Sequence, residues 1–350
     1  MKKIKIVFII SIFCFGITKS QNNIGGFLNG PMDDVEKLLE GYMNPFGKWF
    51  GSGLNAGWYN TAKPHTFPGF DVTGGVHFIT PSNDAMLFKP YLNELIVNSS
   101  DGSLPTFLGP NNSTEINYMS PDGEVIKLFE SPPGSNWSGP IPMPYLQGSI
   151  GLIRNTEILF RLTPKIEIEE TKTGFWGIGL KHSIKQWIPG INILPFDLSF
   201  VGGYSQLNSN TRLDDVPDKG PQELNFNVNA FNSNLVLSKK VLGFTPYIGF
   251  GYQYSISNLS LIGDYQIGDW NGEEMVFADV TDPFDFSFGG VNGFKTNIGA
   301  RLKLFLFTVH AEWTRAEYDV FSIGIGLNSD IGSKLIGKKI EKIGSKEIKE

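Results

Sequence analysis

From Pro142 onward the chain is a run of apolar and polar alternations, most of them nine to thirteen residues long. Ordinary strands hold roughly five or six residues, whereas a tilted strand needs about nine to eleven to cross a bilayer. MPYLQGSIGLI (143–153), TEILFRLTPKI (156–166), GFWGIGLKHSI, PFDLSFVGGYSQL (195–207) and ELNFNVNAFNSNLVL (223–237) come first. FTPYIGFGYQYSI (244–256), GFKTNIGARLKLF (293–305), LFTVHAEWT (306–314) and YDVFSIGIGL (318–327) follow, making nine.

The links between them alternate in length. Short ones fall at Arg154-Asn155, 238–243 and near 303–306, with a medium one at 185–195. Longer ones are expected at 167–174, 205–222 and 257–291, with TRAEYD (314–319) a short exception. Short turns at one end and long loops at the other are the habit of outer-membrane barrels.

Alternation fixes two faces but not which one meets water. In FDVTGGVHF (70–78), Phe70, Val72, Val76 and Phe78 oppose Asp71, Thr73 and His77. A soluble sandwich turns the apolar face inward; a membrane barrel turns it out to lipid. Long strands with aromatic residues near their ends favour the barrel. On that reading Asp71, His77, Arg161, Lys181, Asp197, Arg301 and Glu312 face the lumen.

The start of the chain agrees with export. Three lysines precede an apolar run from Ile6 to Ile17, and small or polar residues follow, which is the layout of a secretory leader with a cut expected after Ser20. Bulky Phe13 before Cys14 argues against lipid attachment. Removing 1–20 takes away the single cysteine and four lysines and moves the formal charge from -6 to -10. The mature chain then has no disulfide or thiolate chemistry, and its acidic balance opposes nucleic-acid binding. Forty-one glycines and only 18% charged residues suit a strand-rich chain.

Strand parity sets an expected count. With both termini on the short-turn side, nine strands need an odd number before them; GLNAGWYNTA (53–62), GFDVTGGVHFIT (69–80) and AMLFKPYLNELIV (85–97) supply three. The expectation is an all-β transmembrane antiparallel barrel of twelve strands over 51–328, or fourteen if YQIGDW and EMVFADV join as a hairpin. Ahead of it, 21–50 is expected as a plug, with a helix over 31–45 that aligns Met32, Val35, Leu38, Leu39 and Tyr42. Val35, Leu38, Leu39 and Tyr42 are the plug or gate candidates. Asp33 and Asp34 lie at the favourable end of its dipole. Residues 98–141, dense in turn formers, are expected as a lid, and 329–350 as a Lys-rich tail.

Catalytic signatures are missing: HExxH, GxSxG and CxxC do not occur, so the chain is expected not to be an enzyme. GSKLIGKK (332–339) puts Lys339 where a phosphate loop needs Ser or Thr. GIGLKH and GFGYQY lack the third glycine of a dinucleotide site, and such strand glycines make room in a lumen or permit bending. The four histidines have no ligand spacing, so no metal or cofactor is expected. Seven acids between Asp264 and Asp285 form an acidic outer loop suited to divalent bridges to lipopolysaccharide.

GKWFGSGLNAGWYNTAKPHTFPGFDVTGGVHF, PMPYLQGSIGLIRNTEILFRLTPKIEI and GFWGIGLKHSIKQWIPGINILPFDLSFVGGYSQL resemble the DUF6588 type, exported barrel-like proteins of Bacteroidota with no assigned activity. The layout, an N-terminal segment before a barrel, is similar to FadL-type transporters of hydrophobic compounds. The resemblance implies an outer-membrane location and leaves two functions open. The leading expectation is passive transport or binding of a small solute, a hydrophobic one if the FadL-type layout is followed; the alternative is a closed structural or partner-binding barrel without transport.

Overall fold

The computed structural model describes residues 30–120, 122–168, 170–191, 193–213, 220–270 and 275–329. The expected leader and Lys-rich tail lie outside these residues, as does 21–29 of the expected plug. Helix α1 spans Met32–Asn55. Strand β1 is Phe70–Thr80, and five short strands follow: β2 Leu87–Phe88, β3 Leu95–Val97, β4 Leu104–Pro105, β5 Glu115–Met119 and β6 Val125–Glu130. Next come β7 Ile141–Gly151, β8 Thr156–Ile168, β9 Thr171–Ser183, β10 Asp197–Arg212, β11 Glu223–Ser238 and β12 Phe244–Ile262. The last are β13 Asp264–Trp270, β14 Met275–Thr281, β15 Phe284–Leu304, β16 Phe307–Arg315 and β17 Asp319–Ser329.

Ten strands close a barrel in the order β1, β17, β16, β15, β12, β11, β10, β9, β8, β7, with β7 returning to β1. Every pairing is antiparallel. The nine strands expected after Pro142 are all in the wall, but ten replaces the expected twelve or fourteen. GLNAGWYNTA is the end of α1 and an extended segment within the lumen, and AMLFKPYLNELIV belongs to the lid. YQIGDW and EMVFADV do pair, as β13 with β14, yet they form a separate two-stranded sheet. The link expected at 167–174 is shorter than expected, because β8 and β9 stay paired out to Ile168 and Thr171.

One end of the barrel carries the described parts of the segments 81–140, 213–222 and 263–283, the other the turns at 152–155, 239–243 and 305–306 and the described part of the link 184–196. These are the long-loop mouth and the short-turn end. Arg154 and Asn155 both take positive φ, 56° and 52°, which a two-residue hairpin turn requires.

Strands β10 to β12 change character along their length. Toward the short turns, Phe200, Leu235 and Phe250 stand side by side on the outer face, and Tyr204, Phe231 and Tyr254 form the next aromatic row. Two rows nearer the mouth, past Gln206, Asn229 and Ile256, the outer face becomes Asn208, Asn227 and Asn258, while Leu207, Phe226, Val228 and Leu259 turn inward and are buried. The apolar outer face marks the portion that meets lipid; the polar portion is a collar standing in water with an apolar inside, like a soluble sheet. An aromatic row therefore rings the middle of these strands, while exposed Phe244 stands at the short-turn end of β12. Trp176 packs edge-on to Tyr204, whose ring lies 4.7 Å from Phe231. An exposed apolar belt of this extent exceeds what the surface of a water-soluble monomer carries, so the wall is a transmembrane one. Phe70 and Val72 belong to that belt, and Asp71 and His77 point inward.

Candidate functional site

The lumen is filled by the chain's own N-terminal segment. Helix α1 enters at the long-loop mouth, and residues 56–69 continue to the short-turn end, where β1 begins. The order of contacts shows the direction. Phe46 meets Phe226, Asn55 donates to the Tyr254 carbonyl, the Tyr59 hydroxyl donates to Asn297, and the His65 amide reaches Glu157.

The helix runs ten residues beyond the expected end at 45. Pro45 lies within it, and Gly47, Gly51 and Gly53 weaken its pattern in sequence. Their use is steric: a Cβ on Gly51 would stand 2.1 Å from Ser255 Oγ, and the wall leaves no space for it.

The upper half of the plug is apolar. Val35, Leu38, Leu39 and Tyr42, the plug candidates, are fully buried against the lid and the collar. Tyr42 donates to the Pro133 carbonyl at 3.1 Å, its ring lies edge-on to Phe107, and the Phe107 amide donates to the Tyr42 carbonyl. Asp34 fastens the lid to the helix start. Its carboxylate accepts the amides of Asn93, Glu94 and Leu95 at 2.8–3.1 Å and pairs with Lys37 at 3.0 Å. Burial pushes this carboxyl up, but the three amides and the ammonium together outweigh burial and hold it below its ordinary value. This explains why AMLFKPYLNELIV is no wall strand: its amides serve a buried carboxylate.

The lower half is extended, and its main-chain groups have no ladder partner. A buried backbone polar group must find a partner elsewhere, and inward side chains of the wall provide it. Arg161 donates to the carbonyls of Ala56 and Gly57, both at 2.7 Å, and to Gln147 at 2.7 and 3.0 Å. Its guanidinium sits 4.5 Å from the Trp58 ring centre and 4.9 Å from that of Tyr145. Lys295 donates to the Asn55 carbonyl at 2.6 Å, and Gln147 to that of Trp58 at 3.3 Å. Ser199 donates to the Ala62 carbonyl, and the Ala62 amide donates to Ser238.

A second cluster lies toward the short turns. Glu157 Oε2 accepts the His65 amide at 2.9 Å and lies 3.0 Å from both His65 Nδ1 and Lys181 Nζ. Asn328 bridges His65 Nε2, at 2.6 Å, to Asp71. Elsewhere His77 stacks on Tyr145 and bonds Ser322, Arg301 donates to Asn60, and Glu312 is buried beside Thr314. Of the lumen candidates, Arg161, Lys181 and Arg301 thus meet the plug or a partner of the plug, and Asp71 reaches it through Asn328. Asp197 stands apart, half-buried at the first residue of β10.

Sequence reasoning singled out none of Gln147, Glu157, Lys295 and Asn328, though Lys295 falls on the polar face of GFKTNIGARLKLF with Arg301. For the first three, parity was a usable signal, because each shares the inward face of its strand with a named candidate or a small polar residue. The plug groups that they serve, carbonyls for Gln147 and Lys295 and an amide for Glu157, have no signature in sequence. Gly179 matches the expectation for the glycines of GIGLKH, since a Cβ there would come within 2.6 Å of the Trp58 ring, and Gly203 on the next strand makes the same room at 2.8 Å.

At the mouth, an open cleft of about 860 Å³ lies between α1 and the lid. Lys37, Lys48, Phe88, Lys89 and Tyr91 are among its lining residues.

A closed antiparallel barrel with an apolar belt and an internal plug defines a class of transmembrane protein. Within that class the chain belongs to DUF6588, a family of unknown function, whose model matches residues 1–329. No curated protein matches it. Among solved structures it is similar to the outer-membrane protease OmpT of Escherichia coli, with 8% identity, TM-score 0.32, and 75% of this chain and 95% of that one covered. It is also similar to the translocator domain of the autotransporter NalP of Neisseria meningitidis, with 10% identity, TM-score 0.29, and 75% and 89% covered. For the toluene transporter TodX of Pseudomonas putida the values are 10%, 0.25, and 85% and 72%. Scores this low assign no activity, substrate or partner to the chain.

Proposed function

We propose that this protein is an outer-membrane barrel closed by its own N-terminal segment, acting as a structural or partner-binding element through its long-loop mouth. Arg161 carries the reading: buried at the middle of the wall, it holds two consecutive plug carbonyls and stacks on Trp58. A lumen built for flux would leave such a cation to water. The asymmetry of short turns and long loops supports the outer membrane, with the mouth facing outward.

Planar-bilayer recording of the refolded mature protein tests this, with insertion verified by heat-modifiable migration. The expected result is no steady current. A stable ohmic current would overturn the closed barrel and favour solute passage.

The mouth cleft supports a second reading, binding of a small, partly hydrophobic solute beside Phe88 and Tyr91. Saturable binding of a small apolar fluorophore that is lost in Phe88→Ser is the expected sign; absence of binding removes this reading.

A further inference from the structure

The apolar belt does not stop where the short-turn strands end. Leu242 and Phe305, at the tips of the β11–β12 and β15–β16 turns, are 92% and 97% exposed. Ile153, Trp187 and Ile193 are exposed at the neighbouring turns. Leu242 and Phe305 also adopt φ of 58° and 56°, where glycine or asparagine fits with less strain than a bulky side chain. A water-facing turn would gain from a small polar residue at both positions.

Belt height makes the same point. On β11 the lipid-facing stretch begins at Phe231 in the aromatic row, and the strand ends at Ser238. Seven steps at 3.4 Å, tilted by about 40°, rise roughly 18 Å, short of the ~25 Å apolar band of such barrels. Val241 and Leu242 extend the band toward that height. Exposed cations flank the tips: Arg154 beside Ile153, and Lys239 and Lys240 beside Val241. Lysine and arginine at the edge of an apolar surface suit anionic headgroups.

We infer that the short-turn end is a lipid-binding surface, its apolar tips embedded at the interface of the inner leaflet and its cations on anionic phospholipid headgroups. The inference rests on the transmembrane reading of the wall. It gives the turns a role beyond closing hairpins: they set the depth of the barrel and select the lipid around its base.

The mature chain has no cysteine, so single probes are clean. Phe305→Cys at the tip and Ile298→Cys in mid-belt each carry a thiol-reactive fluorophore, and the full mature protein is refolded into phosphatidylcholine vesicles with or without phosphatidylglycerol. Quenching is read from brominated acyl chains and from aqueous iodide. The expected result is lipid quenching at both sites, loss of iodide quenching at residue 305 once phosphatidylglycerol is present, and return of iodide quenching in Arg154→Gln/Lys239→Gln/Lys240→Gln. Lipid quenching at 298 with full iodide access at 305 in both vesicles would overturn the inference, leaving the tips in water for a protein partner. Shielding at 305 that ignores phosphatidylglycerol would overturn the anionic preference. Absence of lipid quenching at 298 would instead overturn the transmembrane reading itself.

Discussion

Arg161 and Trp58 form the joint between wall and plug: the guanidinium lies 4.5 Å from the indole ring centre while its nitrogens donate to the consecutive carbonyls of Ala56 and Gly57. The indole also donates to the Leu54 carbonyl at 2.9 Å, so the end of α1 is tied to the same point.

Replacing Arg161 by Met leaves the Ala56 and Gly57 carbonyls unpaired in a buried site. Each orphaned group costs about 1–3 kcal/mol. A lower urea midpoint for the refolded protein is expected, with brief current bursts in bilayer recordings as the plug loosens. A silent variant of unchanged stability would count against Arg161 as the joint.

Glu157 and Lys181 pair at 3.0 Å with almost no exposure. Breaking a buried pair from one side strands a charge and costs about 3–5 kcal/mol. Glu157→Gln and Lys181→Met should each destabilise, and the double variant should lose less than the two losses added. A double-mutant cycle with no coupling would show that the charges act independently.

Gly179→Ala should destabilise by about 1–3 kcal/mol through overpacking against Trp58. The added methyl would stand 2.6 Å from the indole. Trp58→Phe should restore part of the loss in the double variant, measured by thermal unfolding; failure to restore it would place the strain elsewhere.

Asp34 couples the lid to pH. Its folded value lies below the ordinary 3.8, so its contribution is complete above about pH 4 and is lost as pH falls through the depressed folded value. Limited proteolysis of 81–140 should therefore accelerate only in acid. In Asp34→Asn cleavage should be faster at neutral pH and nearly flat with pH, because an amide cannot accept three amides with one oxygen.

The wall was legible from residues alone. Alternation in ELNFNVNAFNSNLVL assigns every inward and outward side chain of β11, since a strand's faces follow from its period of two. Its apolar residues shift from even positions (Leu224, Phe226, Val228, Ala230) to odd ones (Phe231, Leu235, Leu237), but the shift alone does not say which half meets lipid and which meets water, because both environments alternate. The strand count failed at GLNAGWYNTA for a related reason: Trp58 and Tyr59 are both buried in a filled lumen, so no polar face exists to betray the element.

Local sequence thus determined the wall strands after Pro142, which of their side chains share a face, and the apolar stripe of Val35, Leu38, Leu39 and Tyr42, because each is a matter of periodicity along one element. Only the tertiary structure decided what those charges serve. Arg161 and Ala56, or Lys295 and Asn55, are joined by closure of the wall around the plug, and a carbonyl lacking a partner looks the same in sequence as one that has found it.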